Sequence, residues 1–347
     1  MLTKKQLSEI KNHLEKAQNP IFFFDNDADG LCSFLLLQRF IERGKGVPVR
    51  SFPEMSKDYF RKIQELNADY IFILDKPMVS REFFEEAEKI NIPVVWIDHH
   101  DINSFIPKFV NYYNPNKNKK KSSEPTTFLC WQVVSKNRKE DLWFAVVGCV
   151  ADSFMPKFYN DFLKKHPELG FKTKNAFDVF YKTQIGKVAR IFGFALKDST
   201  TNVITMLKFL MKSKSPYDVL EENNKNATMH DRFDQIEKRY KKLLEKAEEV
   251  YTENKILFFQ YSGDLSISSD LANELMYKFP DKIIVVVYLT GIKANVSVRG
   301  KKVKYLVLKA IKDLEGATGG GHEDAVGAKV SVDDLEVFRN RLEEFSK

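Results

Sequence analysis

Pro20-Ile21-Phe22-Phe23-Phe24-Asp25-Asn26-Asp27-Ala28-Asp29-Gly30 decides the reading of this chain, because an apolar run stops abruptly in three carboxylates at alternate positions. Aromatic and β-branched residues in an unbroken run read as a buried strand. Asp25, Asp27 and Asp29 repel one another when crowded, since each like charge disfavours ionisation of its neighbour. A bound divalent cation removes that repulsion. Gly30 lets the backbone turn into a helix starting at Leu31, whose amino end favours a nearby anion. An acidic turn that only caps a helix would carry the same residues, so this stretch alone leaves both readings open.

A second apolar run, Pro93-Val94-Val95-Trp96-Ile97, ends in Asp98-His99-His100. Adjacent histidines point to opposite faces of a continuing strand, so they share a site only if the chain turns there. Mixed carboxylate and imidazole ligands suit Mn²⁺, Fe²⁺ or Zn²⁺, and a carboxylate-rich set leans toward Mn²⁺ or Mg²⁺. Cys32, Cys130 and Cys149 lack paired spacing, which argues against a thiolate zinc site. Two more acids follow the pattern: Asp75 ends the run 69–74 and Asp152 ends the run 144–151. Open parallel sheets bind ligands beyond the carboxyl ends of their strands, so these acids are expected to converge. Their number predicts two ions about 3.5–4 Å apart.

Taken together, Asp27-Ala28-Asp29-Gly30, Leu74-Asp75, Asp98-His99-His100 and Ala151-Asp152 resemble, in order and spacing, the motifs of the DHH phosphoesterase superfamily. That group holds RecJ-type exonucleases, nanoRNases, cyclic dinucleotide phosphodiesterases and family II pyrophosphatases. Gly316-Ala317-Thr318-Gly319-Gly320-Gly321-His322 likewise resembles the glycine-rich signature of the DHH-associated substrate-binding domain. The resemblance implies that Asp27 and Asp29 ligate separate ions, that Asp75 bridges them, and that His99 and Asp152 complete the second. It implies that His100 meets the phosphate and that Asp98 orients the imidazoles, so Asp98 and His100 are the expected catalytic pair. Pyrophosphatases and nanoRNases place a histidine where this chain has Phe23; Asp25 is the substitute ligand, a lean toward the RecJ pattern. The implied cofactors are two divalent cations, Mn²⁺ preferred and Mg²⁺ accepted. The implied reaction is attack of a metal-held water on a phosphoester without a protein nucleophile.

The rest of the sequence bounds this reading. A chain of 347 residues is expected to divide into two domains. The apolar runs reach only about ten residues, short of the roughly 18–20 that a membrane span needs, so no membrane partner is expected. The absence of a secretory pattern and three unpaired cysteines give the cytoplasm as the expected location. Net charge +7 is compatible with a polyanionic partner, as is the cluster Lys117 to Lys121, although solvated lysines explain both equally well.

Alternating patterns predict an α/β fold over 1–190: a parallel-sheet DHH domain with helices on both faces. The expected strands are 20–24, 48–52, 69–74 and 93–97, with helices at 31–43, 57–66 and 80–89 and two buried helices within 127–150. Residues 191–250 read as a helical connector, and 251–347 as a smaller α/β substrate-binding domain with strands at 255–261, 282–288 and 294–299. There Ser297 and Arg299 share a strand face, and an arginine can grip a phosphate with two parallel hydrogen bonds. Gly319, Gly320, Gly321 and His322 are expected to form a loop whose N–H groups approach a phosphate.

The leading expectation is a RecJ-like exonuclease of archaeal type that releases mononucleotides from single-stranded DNA or RNA. One alternative is a phosphodiesterase of small substrates: short oligonucleotides, cyclic dinucleotides or nucleotide bisphosphates. Another is a replication or repair scaffold that binds a protein partner without turnover.

Overall fold

The computed structural model describes residues 1–51, 53–101 and 105–346. The chain divides into two compact units, Met1–Asp234 and Gln235–Lys347. The first has strands β1 (Pro20–Asp25), β2 (Lys45–Val49), β3 (Glu54–Met55), β4 (Tyr70–Leu74), β5 (Met78–Val79), β6 (Val94–Ile97) and β7 (Val110–Tyr113). Five of them make a parallel sheet in the order β2-β1-β4-β6-β7, while β3 and β5 form a separate parallel pair.

Both sheet faces are covered, which is why the strands read as unbroken apolar runs. Ile21, Phe23, Ile71, Ile73, Val94 and Trp96 pack on one face with Phe83 and Phe84 of the helix Arg81–Lys89. On the other face Phe22 and Phe24 meet Phe34 of the helix Ala28–Ile41, ring centroids 5.6 and 5.1 Å apart. Each such burial contributes roughly 1.5–3 kcal/mol. That is enough to hold an acidic turn at the end of β1 despite its internal repulsion.

The strand order places the site. From β1 the chain moves to one side, to β2, and later returns to the other side, to β4. The connections leaving β1 and β4 therefore diverge and open a crevice at the strands' carboxyl ends. Asp25 ends β1 and Asp75 directly follows β4, at the same height, because Phe24 pairs with Leu74.

Several expectations need correction. The strand expected at 48–52 lies at Lys45–Val49, and position 52 is outside the described residues. Its Pro48 is tolerated because β2 is an edge strand. The helix expected from residue 31 already starts at Ala28 with Asp27 as its N-cap. Strand β7 was absent from the sequence reading: it is a four-residue edge strand with half-buried Asn111 and Tyr112 and no apolar run to announce it. Thr126–Val134 and Leu142–Ala151 are buried helices as expected.

Residues 191–250 carry the end of the helix Gln184–Ala195 and the helices Thr200–Leu210, Pro216–Leu220 and Ala227–Glu249, and the division between the units falls at 234/235 inside the last of them. The second unit carries β8 (Ile256–Ser262), β9 (Ile283–Thr290), β10 (Lys293–Arg299), β11 (Thr318–Gly321) and β12 (Ala325–Ser331) in the order β11-β12-β10-β9-β8. Only β8 and β9 pair in parallel. Val285, Val287, Val296 and Val298 pack against Val303, Val307, Phe338 and Leu342 of two helices on one face. The helix Ser268–Lys278 lies against β9 and β10. The expected glycine loop is in fact edge strand β11, paired with β12. Glycine has no side chain to show an alternating pattern, so nothing in the run announced a strand.

Candidate metal centre

Asp25 is the last residue of β1, Asp27 caps the helix Ala28–Ile41 and Asp29 lies in its first turn. A Cβ on Gly30 would lie 2.4 Å from the Asp25 carbonyl oxygen, so only glycine permits the helix to start this close to the strand. Asp27 Oδ1 accepts from the Gly30 N–H at 2.9 Å and caps the helix. The buried Asp29 carboxylate sits at the amino end of a second helix, Thr126–Val134, accepting from the backbone N–H groups of Thr126 at 2.9 Å and Thr127 at 2.7 Å. Two unsatisfied helix amides thus fix its orientation.

Asp75 adopts a left-handed backbone, φ 60°, which costs a non-glycine residue about 1 kcal/mol. It is held there by its N–H, which donates to the Ile97 carbonyl at 2.9 Å, and by Thr126 Oγ1, which donates to its Oδ1 at 3.0 Å. His99 Nε2 lies 3.3 Å from Asp75 Oδ1, 3.8 Å from Asp152 Oδ2 and 4.0 Å from Asp29 Oδ2. Ligand atoms about 2.1 Å from one ion stand about 3.0–4.2 Å apart, so these spacings fit the edges of one coordination shell. Single ligand atoms of Asp29, His99 and Asp152 all lie within 4.8 Å of one another. A carboxylate-rich set with one imidazole suits Mn²⁺ or Mg²⁺.

The electrostatics agree. Burial first, then the charges of Asp29 and Asp27, push the Asp75 carboxyl well above the usual range. Lost hydration, Asp25 and Asp29 raise Asp27 to about 7. Asp152, whose side chain keeps 37% exposure, is raised to about 6 by lost hydration and by Asp29, against the pull of His99 and His100. Burial lowers His99, but Asp152, Asp75 and Asp29 outweigh it and raise its imidazole well above 6.5. Without a cation, Asp27, Asp75, Asp152 and His99 retain protons that a cation displaces.

Asp98 is fully buried and holds His100. Its Oδ1 lies 2.7 Å from His100 Nδ1, and its Oδ2 accepts from the His100 N–H at 3.2 Å, Tyr112 Oη at 3.2 Å and Asn114 Nδ2 at 3.1 Å. Asp98 thus orients His100 as expected of it, and His99 Nδ1 lies 3.4 Å from the Ser123 carbonyl. Tyr112 and Asn114 escaped the sequence reading because β7, which carries them to the site, did.

Lys76 also escaped it. Its ammonium is fully buried and lies 2.8 Å from Asp25 Oδ1, while its carbonyl accepts from Trp96 Nε1 at 2.9 Å. A lysine directly after Asp75, at the end of an apolar run, was the available signal. Thr126 and Thr127 carried none, since their role depends on a helix end.

The residues expected on the substrate side lie in the second unit. Ser297 and Arg299 both face the Ser268–Lys278 helix: Ser297 Oγ is buried 3.0 Å from Ser268 Oγ, and Arg299 Nε donates to Asn273 Oδ1 at 2.6 Å. Gly319, Gly320 and Gly321 are exposed on β11 at the sheet edge, and His322 follows them, also exposed, its N–H bonded to the Ala325 carbonyl at 2.9 Å. Within the unit these glycines stand across β12 from Arg299.

Residues 21–151 match the DHH family, N-terminal domain, and residues 253–347 match the DHHA1 domain. No curated protein matches the chain. Among solved structures, RecJ from Thermus thermophilus in complex with Mn²⁺ superposes with a TM-score of 0.67 at 15% identity, covering 98% of this chain and 54% of that one. This chain therefore spans about half the length of that protein. An exonuclease RecJ bound to manganese gives 0.65 at 16% identity, covering 98% and 93%. CDC45 from Entamoeba histolytica gives 0.55 at 12% identity, covering 98% of both chains. At such identities the likeness shows the fold. Among the described residues no helix is long and apolar enough to cross a membrane. The two domain matches, in the order that the motifs require, make this chain a member of the DHH phosphoesterase family, with a DHHA1 domain following the DHH domain along the sequence.

Proposed function

We propose that the chain is a metal-dependent phosphodiesterase, and specifically a RecJ-like exonuclease that releases mononucleotides from single-stranded DNA or RNA. The carrying observation is the convergence, from separate segments, of Asp29, His99 and Asp152 at ligand spacing, with Asp75 Oδ1 3.3 Å from His99 Nε2, in the crevice between β1 and β4. A bound Mn²⁺ or Mg²⁺ supplies an activated water at neutral pH and stabilises charge on the departing oxygen. Thr126 and Thr127 fix the Asp29 carboxylate, and Asp98 fixes the tautomer of His100, which meets the phosphate in this reading. Ser297, Arg299, Gly319, Gly320, Gly321 and His322 form the substrate-binding side, with Arg299 already oriented by Asn273.

End-labelled single strands of DNA and RNA, incubated with Mn²⁺ or Mg²⁺, test the proposal: mononucleotides are released from one or both. Absence of release from any strand rejects the exonuclease. A length series separates the small-substrate alternative, for which activity stops at dimers and trimers. A scaffold for replication or repair partners predicts no turnover at any length.

A further inference from the structure

The acids of the centre are not equally placed to take a cation. Asp29, His99 and Asp152 bring single ligand atoms within 4.8 Å of one another, and Asp75 Oδ1 lies 3.3 Å from His99 Nε2; a further group, Asp75, Asp98 and His100, is closed on itself by the 2.7 Å contact of Asp98 Oδ1 with His100 Nδ1. Asp25 and Asp27, the other two acids of the first motif, do not belong to any ligand cluster among the described residues. Asp27 Oδ1 is turned onto the Gly30 N–H. Asp25 Oδ1 meets the Lys76 ammonium at 2.8 Å and also accepts from the Asn26 N–H at 3.0 Å.

Lys76 is built into this position. Its side chain is fully buried, and the Trp96 indole holds its backbone carbonyl. The left-handed turn at Asp75 lets two consecutive residues serve different acids: the Asp75 carboxylate reaches His99, and the Lys76 ammonium reaches Asp25. Replacement by apolar residues is often neutral or favourable for a buried ion pair, so stability alone gives little reason to place an ammonium here. A dication beside the same Asp25 carboxylate would face that ammonium at a few ångströms in a region of low dielectric.

The geometry points to a centre with one resident divalent cation, on Asp29, Asp75, His99 and Asp152, in which the Lys76 ammonium takes the place of a second. Lys76 is then a positioning residue: it compensates Asp25 with a fixed positive charge and limits the centre to one ion. This inference rests on the metal-dependent reading of the same acids, and departs from it only in the number of ions.

Metal stoichiometry tests it without recourse to turnover. The full chain is stripped with chelator, titrated with Mn²⁺ alone, and assayed by calorimetry and by electron paramagnetic resonance. The expected wild-type result is one Mn²⁺ per chain with an uncoupled signal. Two Mn²⁺ per wild-type chain, or an exchange-coupled pair, overturns the inference and leaves the metal-dependent reading standing. No bound Mn²⁺ overturns both. Lys76→Met, close in length and uncharged, is expected to take up a second Mn²⁺ at Asp25; a folded Lys76→Met chain that stays at one ion removes Lys76 from this role. The wild-type count decides the number of ions even if the variant does not fold.

Discussion

The Thr127 backbone N–H donates to Asp29 Oδ1 at 2.7 Å, and a Cβ added at Gly148 would lie 2.2 Å from Thr127 Oγ1. The orientation of the Asp29 carboxylate therefore depends on the close approach of two helices. Gly148→Ala is expected to cost about 1–3 kcal/mol through overpacking. It should also weaken Mn²⁺ binding, because the 126–134 helix must shift. Urea denaturation and a Mn²⁺ titration of the same variant check both effects; unchanged affinity rejects the link between Gly148 and Asp29.

Asp75→Asn tests the ligand set. Asparagine tolerates the left-handed backbone and keeps the volume, so the fold should persist. Turnover is expected to fall at least about 100-fold, more than the loss of an outer hydrogen-bond partner brings. The metal-free variant should melt higher than the wild type, since one crowded carboxylate is gone. Near-normal turnover would exclude Asp75 from the centre. His99→Ala should likewise remove activity.

Without metal, stability is expected to fall as pH rises. The folded chain holds protons on Asp152 up to about 6 and on Asp27 up to about 7, against an ordinary value of 3.8. These groups contribute full stability below about pH 4 and progressively less toward pH 7, because the unfolded chain has already released its protons. His99 acts in the same direction: its raised value contributes stability below 6.5 that is lost as pH climbs through its folded value. Mn²⁺ displaces these protons, so its increment in melting temperature should be larger at about pH 7.5 than at about pH 5. Thermal melts with and without Mn²⁺ decide this; an equal increment at both pH values contradicts it.

The buried network around Asp98 should act on His100 alone. Tyr112→Phe removes one donor to Asp98 Oδ2 and is expected to cost about 1 kcal/mol. Asp98→Asn disturbs the His100 tautomer and should reduce turnover about 10–100-fold while leaving Mn²⁺ stoichiometry intact. Loss of the metal in Asp98→Asn would place Asp98 in the coordination shell instead.

Arg299→Ala should raise KM for single-stranded substrates about 10-fold or more, in keeping with a charge-assisted bond worth roughly 1.5–3 kcal/mol, with a smaller effect on kcat. Asn273→Ala, which releases Arg299 Nε, should move KM in the same direction by less. Unchanged KM in Arg299→Ala removes it from the substrate side.

By itself the sequence determined the α/β class, the strands that carry apolar runs, and the acids and histidines at their ends. Those features are local: an unbroken run marks a strand covered on both faces, and a polar residue at its end marks the sheet edge. Tertiary structure decided what local pattern does not encode. It brought Thr126, Thr127 and Asn114 to the acids through a helix end and a short edge strand, set Asp98 on His100, and turned a glycine run into strand β11. It also placed Lys76 on Asp25, a pairing between adjacent strands that follows from strand order and from one left-handed residue. The acids of the Asp25 turn were legible from the first eleven residues quoted; which of them faces an ammonium was settled only by packing.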